Sequence, residues 1–191
     1  MTNICLIRHG ETDANRNFIV QGRMDNPLNK NGLDQARKTG EYLRLNHETF
    51  DVFITSPLKR AFDTARIIAQ TLGQSKPVNI NFDLIERNFG DYDGKQIDED
   101  YQKLILSDAI PNIEKNHILE NRVIGALDII VRKYEGKNVL IVAHSHVIKA
   151  ILIKFLPGFT YTSFLANCSI NLLTWENGVY TVLRHNINPL L

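Results

Sequence analysis

The chain has 191 residues, 43% of them hydrophobic and 23% charged, and its net charge is +1. That length suits one domain with its own core, or one domain carrying a small inserted cap. The charge balance argues against a nucleic-acid binder, which would show a basic excess, but it leaves room for an anionic small molecule held by a local cluster of arginines.

Cys5 and Cys168 are the only cysteines, too few for a disulfide framework. "MTNICLIRHGET" has no basic stretch before its apolar run, and that run is too short for a secretory leader. No segment has the length of a membrane span. The expectation is a soluble, cytoplasmic protein with reduced thiols, no membrane partner and no nucleic-acid partner. Oligomeric state is not legible.

In chain order, "ICLIRHG" reads as a buried strand running into a loop. Residues 13–31 are rich in Asn, Asp, Gly and Pro, and form a long loop of the kind that is usually functional. "GLDQARKTGEYLRL" reads as a helix capped by Asn31, with Asp34 in its first turn. "DVFIT" is a second strand. "SPLKRAFDTARIIAQTLG" follows as a helix with Ser56 as N-cap, Pro57 as first residue, an apolar stripe through Leu58, Ala61, Ala65, Ile68 and Leu72, and Gly73 as its stop. "VNINF" is a third strand and "ERNFGDYDGK" a polar connection. "DEDYQKLIL" suggests a short helix broken by Pro111. A longer helix runs from about Leu119 to Tyr134, with Gly136 beyond it. "NVLIVAH" is a fourth strand and "VIKAILIKFL" a buried helix. "SINLLTW" and "VYTVLRH" flank Asn177-Gly178 as a closing hairpin. Strands alternating with helices predict an α/β domain: three layers, α/β/α, around a mainly parallel sheet with one antiparallel strand. The reading is one domain over residues 1–191, with a cap insertion at about 95–118.

In open α/β sheets ligands bind beyond the carboxyl ends of the strands. Those ends carry Arg8 and His9, Ser56 with Arg60 about one turn into its helix, Glu86, and His144. Arginine forks fit phosphate oxygens. A histidine beside them can attack phosphorus, a second can stabilise the transferring group, and a glutamate can protonate the leaving alkoxide and then activate water. That inventory suffices for phosphoryl transfer without a metal or cofactor. His144 and His146 alone do not make a zinc site, which needs three or four ligands.

"LIRHGET", "SPLKRAFDTA", "ERNFGDYDG" and "VAHSHV", in this order, resemble the motifs of the histidine phosphatase superfamily, the phosphoglycerate-mutase-like fold. The resemblance covers essentially the whole chain. It implies that His9 is the phosphorylated nucleophile, that Arg8, Arg60 and His144 complete the phosphate pocket, that Glu86 is the proton donor, and that no metal is used. It also implies that Asn15 reaches the phosphoryl group and that Gln21 and Gly22 line the substrate entrance. Glu11 and Thr12 are expected to hold the loop and orient His9, and Asp63 and Thr64 to be helix-face residues. Arg16, Arg23, Lys30 and Arg87 read as mostly solvated charges near the rim.

Residues 96–118 hold no arginine to grip a substrate carboxylate, and the chain is short. Both facts favour a phosphomonoesterase acting on a small phosphorylated metabolite. The alternatives are a 2,3-bisphosphoglycerate-dependent phosphoglycerate mutase and a weakly catalytic phosphate-binding regulatory module. Serine follows His144 where the family usually has glycine. Ser145 is expected to cap the next helix, and Ser145 and His146 to tune substrate selectivity.

Overall fold

The computed structural model describes residues 1–190. Six strands form one sheet: β1 (Thr2–Arg8), β2 (Val52–Thr55), β3 (Val78–Ile80), β4 (Asn138–Ala143), β5 (Ile170–Glu176) and β6 (Val179–Ile187). Their spatial order is β3-β2-β4-β1-β5-β6. β1 to β4 pair in parallel, while β5 runs antiparallel to both β1 and β6. The expected single antiparallel strand is therefore β5.

Side chains alternate across the sheet, and the alternation divides the core in two. Ile4, Leu6, Ile54, Val139 and Ile141 face one layer, with α5 (Asn116–Lys133) and α6 (Ser145–Phe155). Cys5, Ile7, Phe53, Leu140 and Val142 face the other, with α2 (Lys30–Leu45) and α3 (Lys59–Thr71). That is the predicted α/β/α arrangement. The remaining helices are short: α1 (Asp13–Arg16) and α4 (Tyr101–Leu106), with single 3₁₀ turns at Phe82–Leu84 and Gly90–Tyr92. Asn177 and Gly178 both have positive φ, 50° and 83°, at the turn of the β5–β6 hairpin.

Strand register places the site. Arg8 pairs with Ala143, and Thr55 with Val142. The next residues continue the ladder: His9 N donates to Ala143 O (3.0 Å) and Ser56 N to Val142 O (3.1 Å). Three strands thus end at one level and release His9, Ser56 and His144 side by side.

Three predicted helix starts are corrected. α2 begins two residues early, because Asn29 rather than Asn31 accepts from Gly32 N (2.8 Å). Asp34 consequently lies beyond the first turn, where it pairs with Arg37 and Lys38. α3 begins at Lys59, not at Pro57. Ser56 Oγ is engaged with His144, and the carboxylate of Asp25, from the long loop, accepts from Lys59 N (2.7 Å). Ser145 does not cap α6 but is its first helical residue. An orphan N–H there, that of His146, donates instead to Glu86 Oε2 (3.3 Å). In the last two cases a residue distant in sequence does the capping, so local pattern could not reveal it.

Residues 13–31 are also not loop throughout. Thr12 and Asn15 form a capping box around α1. The segment beyond it pairs with the start of the cap: Val20 N donates to Lys95 O, and Ile97 N to Phe18 O. Gly10 packs on the backbone of Gly32, where an added Cβ would lie 2.5 Å from Gly32 O. The loop carrying His9 is thereby pressed onto the first turn of α2.

Candidate active site

Beyond the strand ends lies a cleft of about 230 Å³ lined by Arg8, His9, Asn15, Gln21, Gly22, Arg60, Glu86, Ser145 and His146. The structure thus brings nine of the ten predicted site residues into the lining of one cleft. The tenth, His144, is fully buried beside His9, with ring centroids 5.2 Å apart.

His9 is 2% exposed. Its Nδ1 lies 2.7 Å from Gly10 O, so Nδ1 carries the proton and Nε2 keeps its lone pair. Nε2 faces Arg60 Nε at 3.3 Å. Burial first, then the charges of Arg60 and Arg8, hold His9 well below the usual histidine range. It is therefore a neutral imidazole with a directed, unprotonated nitrogen. Glu11 and Thr12 brace the loop without touching His9. Glu11 bonds Asn29 and Gln35, and Thr12 bonds Asn15 and Gln21.

Arg60 is 1% exposed, and both its terminal nitrogens are anchored: Nη1 on Met24 O (2.6 Å) and Nη2 on Gly22 O (2.8 Å). Burial pulls it down to about 10, so it stays charged at neutral pH. Gly22 has φ +48°, and an added Cβ would meet the Asp93 carboxylate. The long loop is therefore part of the site, fixing the guanidinium that aims at His9. Lysine has no planar fork to span two carbonyls and still present Nε. Arg60→Lys is expected to lower kcat/KM for an aryl phosphate about 100-fold and to lower Tm by a few degrees, because the Met24 and Gly22 carbonyls lose their shared partner. Steady-state kinetics and a thermal melt check both halves.

Thr64, expected to be a helix-face residue, is buried and joins these pieces. It accepts from Gly10 N (3.0 Å) and donates to Arg60 O (2.7 Å). Ser56 Oγ lies 2.6 Å from His144 Nε2. Burial, followed by nearby positive charge, keeps His144 neutral. Its Nδ1 and Arg8 Nε are buried without a hydrogen-bond partner among the described residues. Unpartnered buried nitrogens are costly, roughly 1–3 kcal/mol each, and a bound anion is one way to satisfy them.

Glu86 is 5% exposed. Its Oε1 accepts from Arg87 N (2.9 Å) and its Oε2 from His146 N. Burial raises its pKa, against the opposing pull of those N–H groups and of Arg60 and Arg8. Arg87 corrects another expectation, since it is fully buried rather than solvated. It binds Asp108 (2.7 Å) and Glu114 O (2.8 Å) and lies over the Tyr161 ring. It ties the Glu86 segment to the cap.

Sequence reading missed Lys149, Tyr101, Gln102, Tyr161 and Thr162, which also line the cleft. Tyr101 and Gln102 come from α4 in the cap. Lys149 had one signal, a charge inside an otherwise apolar helix. Among the described residues no cluster of three or more His, Cys, Asp or Glu is placed to hold a metal, and no helix is long and apolar enough to cross a membrane.

The family profile for the histidine phosphatase superfamily (branch 1) matches residues 4–188. The chain belongs to this superfamily. Among histidine phosphatases and their relatives, it is 37% identical over 193 residues to an uncharacterized phosphatase, PhoE, of Bacillus subtilis (strain 168), covering 100% of this chain and 97% of the relative. A metal-independent phosphoserine phosphatase from Arabidopsis thaliana is 32% identical over 184 residues, 91% of this chain and 76% of the relative. Phosphoserine phosphatase from Entamoeba histolytica, solved in complex with 3-phosphoglyceric acid, superposes with a TM-score of 0.84 at 29% identity and complete coverage of both chains.

Proposed function

We propose that this histidine phosphatase is a metal-independent phosphomonoesterase that hydrolyses a small phosphorylated metabolite through a phosphohistidine on His9. The observation that carries the proposal is the directed lone pair: Nδ1 is committed to Gly10 O, and Nε2 faces Arg60 in a cleft that also holds Glu86.

In the first half-reaction His9 Nε2 attacks phosphorus and the ester P–O bond breaks. Protonated Glu86 gives its proton to the leaving alkoxide. In the second, Glu86 takes a proton from water, the water oxygen attacks phosphorus, the N–P bond breaks, and phosphate departs. Arg8 and Arg60 hold the equatorial oxygens in both steps. His144 supports the same group through Nδ1. The Leu58 N–H occupies one lone pair of Ser56 Oγ, leaving that hydroxyl free to donate to Nε2. Asn15 reaches the phosphoryl group from α1, and Gln21 and Gly22 line the entrance. Ser145 and His146 form the wall where selectivity is set.

Residues 1–191 act as one domain, with 95–118 as its cap. The cap contributes Ile97, Tyr101 and Gln102 to the cleft, and no cation. That favours hydrolysis over a mutase reaction, which must retain an anionic intermediate while it reorients. The buried, unpaired Cys5 and Cys168 support a cytoplasmic setting. The test is hydrolysis of p-nitrophenyl phosphate in excess chelator. Undiminished turnover is expected. Loss of activity that returns with a divalent metal would refute a metal-independent mechanism.

A further inference from the structure

α6 carries two lysines. Lys154 is exposed, whereas Lys149, one turn after Ser145, is 9% exposed and lines the cleft. Its Nζ donates to Tyr161 O at 2.7 Å and forms no salt bridge among the described residues. An ammonium has three donors, so most of its capacity is uncommitted. Buried lysines are almost always paired, and a buried charge without a partner is costly. Burial and the nearby charge of Arg8 pull this one down to about 8, with Glu86 opposing, so it remains mostly protonated at neutral pH.

His146 lies on the same wall, stacked on Tyr161 (ring centroids 5.0 Å) and edge-on to Phe89 (4.7 Å). Arg87 Nη1 faces its Nδ1 at 3.4 Å. A guanidinium can only donate, so Nδ1 accepts and the ring proton sits on Nε2. Nε2 has no protein partner among the described residues. The cap's contribution to the cleft, Ile97, Tyr101 and Gln102, is uncharged. A cation and an N–H donor therefore stand in the cleft, beside the phosphate donors, and among the described residues no carboxylate is in hydrogen-bond or salt-bridge contact with either side-chain group.

We infer that Lys149, with the Nε2–H of His146, forms a second anion subsite, selecting phosphomonoesters that carry a further negative group, a carboxylate or a second phosphate, close to the ester. The inference rests on the phosphomonoesterase reading above.

Calorimetric titration of the full-length His9→Ala protein, which cannot turn over the ligand, tests it with three small probes. These are ethyl phosphate, 2-phosphoglycolate and ethylene glycol bisphosphate. One or both of the probes with an anionic tail should bind about 10- to 100-fold more tightly than ethyl phosphate, the size of one or two charge-assisted hydrogen bonds. The preferred probe tells whether the second group is a carboxylate or a phosphate. Adding Lys149→Met should reduce that preference at least about tenfold, and Lys149→Arg should keep most of it. Lys149→Gln, which retains a donor for Tyr161 O, serves the same purpose should Met unsettle the fold. Binding of ethyl phosphate with no preference among the probes, or a preference that survives both neutral variants, overturns the inference alone. Failure of all three probes to bind removes the phosphomonoesterase reading and the inference with it.

Discussion

His9→Ala is expected to lower kcat on p-nitrophenyl phosphate by at least about 10⁴-fold while leaving the protein folded. Only His9 combines a fixed tautomer, an unprotonated nitrogen facing Arg60, and a place on the cleft wall. His144 cannot substitute, because its Nε2 accepts from Ser56 Oγ and its Nδ1 carries the proton, which leaves no free lone pair to attack phosphorus. Among the described residues the ring of His9 makes two hydrogen bonds, to Gly10 O and Arg60, and the Arg60 guanidinium keeps both carbonyl anchors without it. Stability should therefore change little, and a thermal melt beside the kinetics separates lost chemistry from lost fold. Residual activity within about tenfold of wild type would be incompatible with a histidine nucleophile.

Glu86→Gln is expected to lower kcat about 10²- to 10⁴-fold on alkyl phosphates. An alkoxide is a poor leaving group and needs the proton. Nitrophenolate is a good one, so with p-nitrophenyl phosphate the first half-reaction should survive and the second should stall. The signature is a burst of nitrophenolate close to one equivalent, followed by slow turnover. The pH profile carries the sign. Burial raises Glu86, so its acid form persists to higher pH than an ordinary glutamate's. The kcat/KM for alkyl phosphates should fall as pH rises through that raised value, and Glu86→Gln should abolish that limb. Burial and two arginines lower His9, so the nucleophile remains unprotonated well below the usual histidine range.

Much of this was legible in the sequence because it depends on local signals. The central strands β1, β2 and β4 read as apolar runs, and Asn177-Gly178 marked the hairpin that puts β5 antiparallel. The order of elements forced the strand ends together, and with them Arg8, His9, Arg60, Glu86 and His144. What was not legible depends on contacts between distant segments. Asp25 accepts from the first N–H of α3 and Glu86 from that of His146 in α6, so Ser145 does not cap, and Ser56 holds Leu58 N while it also meets His144. Thr64 reads in the sequence as one helix-face residue among several, yet its hydroxyl accepts from Gly10 N. Arg87 and Lys149 are charges whose burial no local pattern announces. One is neutralised by Asp108 in the cap, and the other is left facing the cleft.

The phosphohistidine is the centre of this account, and trapping it is the most direct measurement. Glu86→Gln protein mixed with p-nitrophenyl phosphate, quenched at alkaline pH and analysed by peptide mass spectrometry, should carry one phosphoryl group on His9, absent from the His9→Ala,Glu86→Gln double variant. Phosphate found on another residue, or nitrophenolate released in a full burst with no phosphorylated peptide, would contradict it.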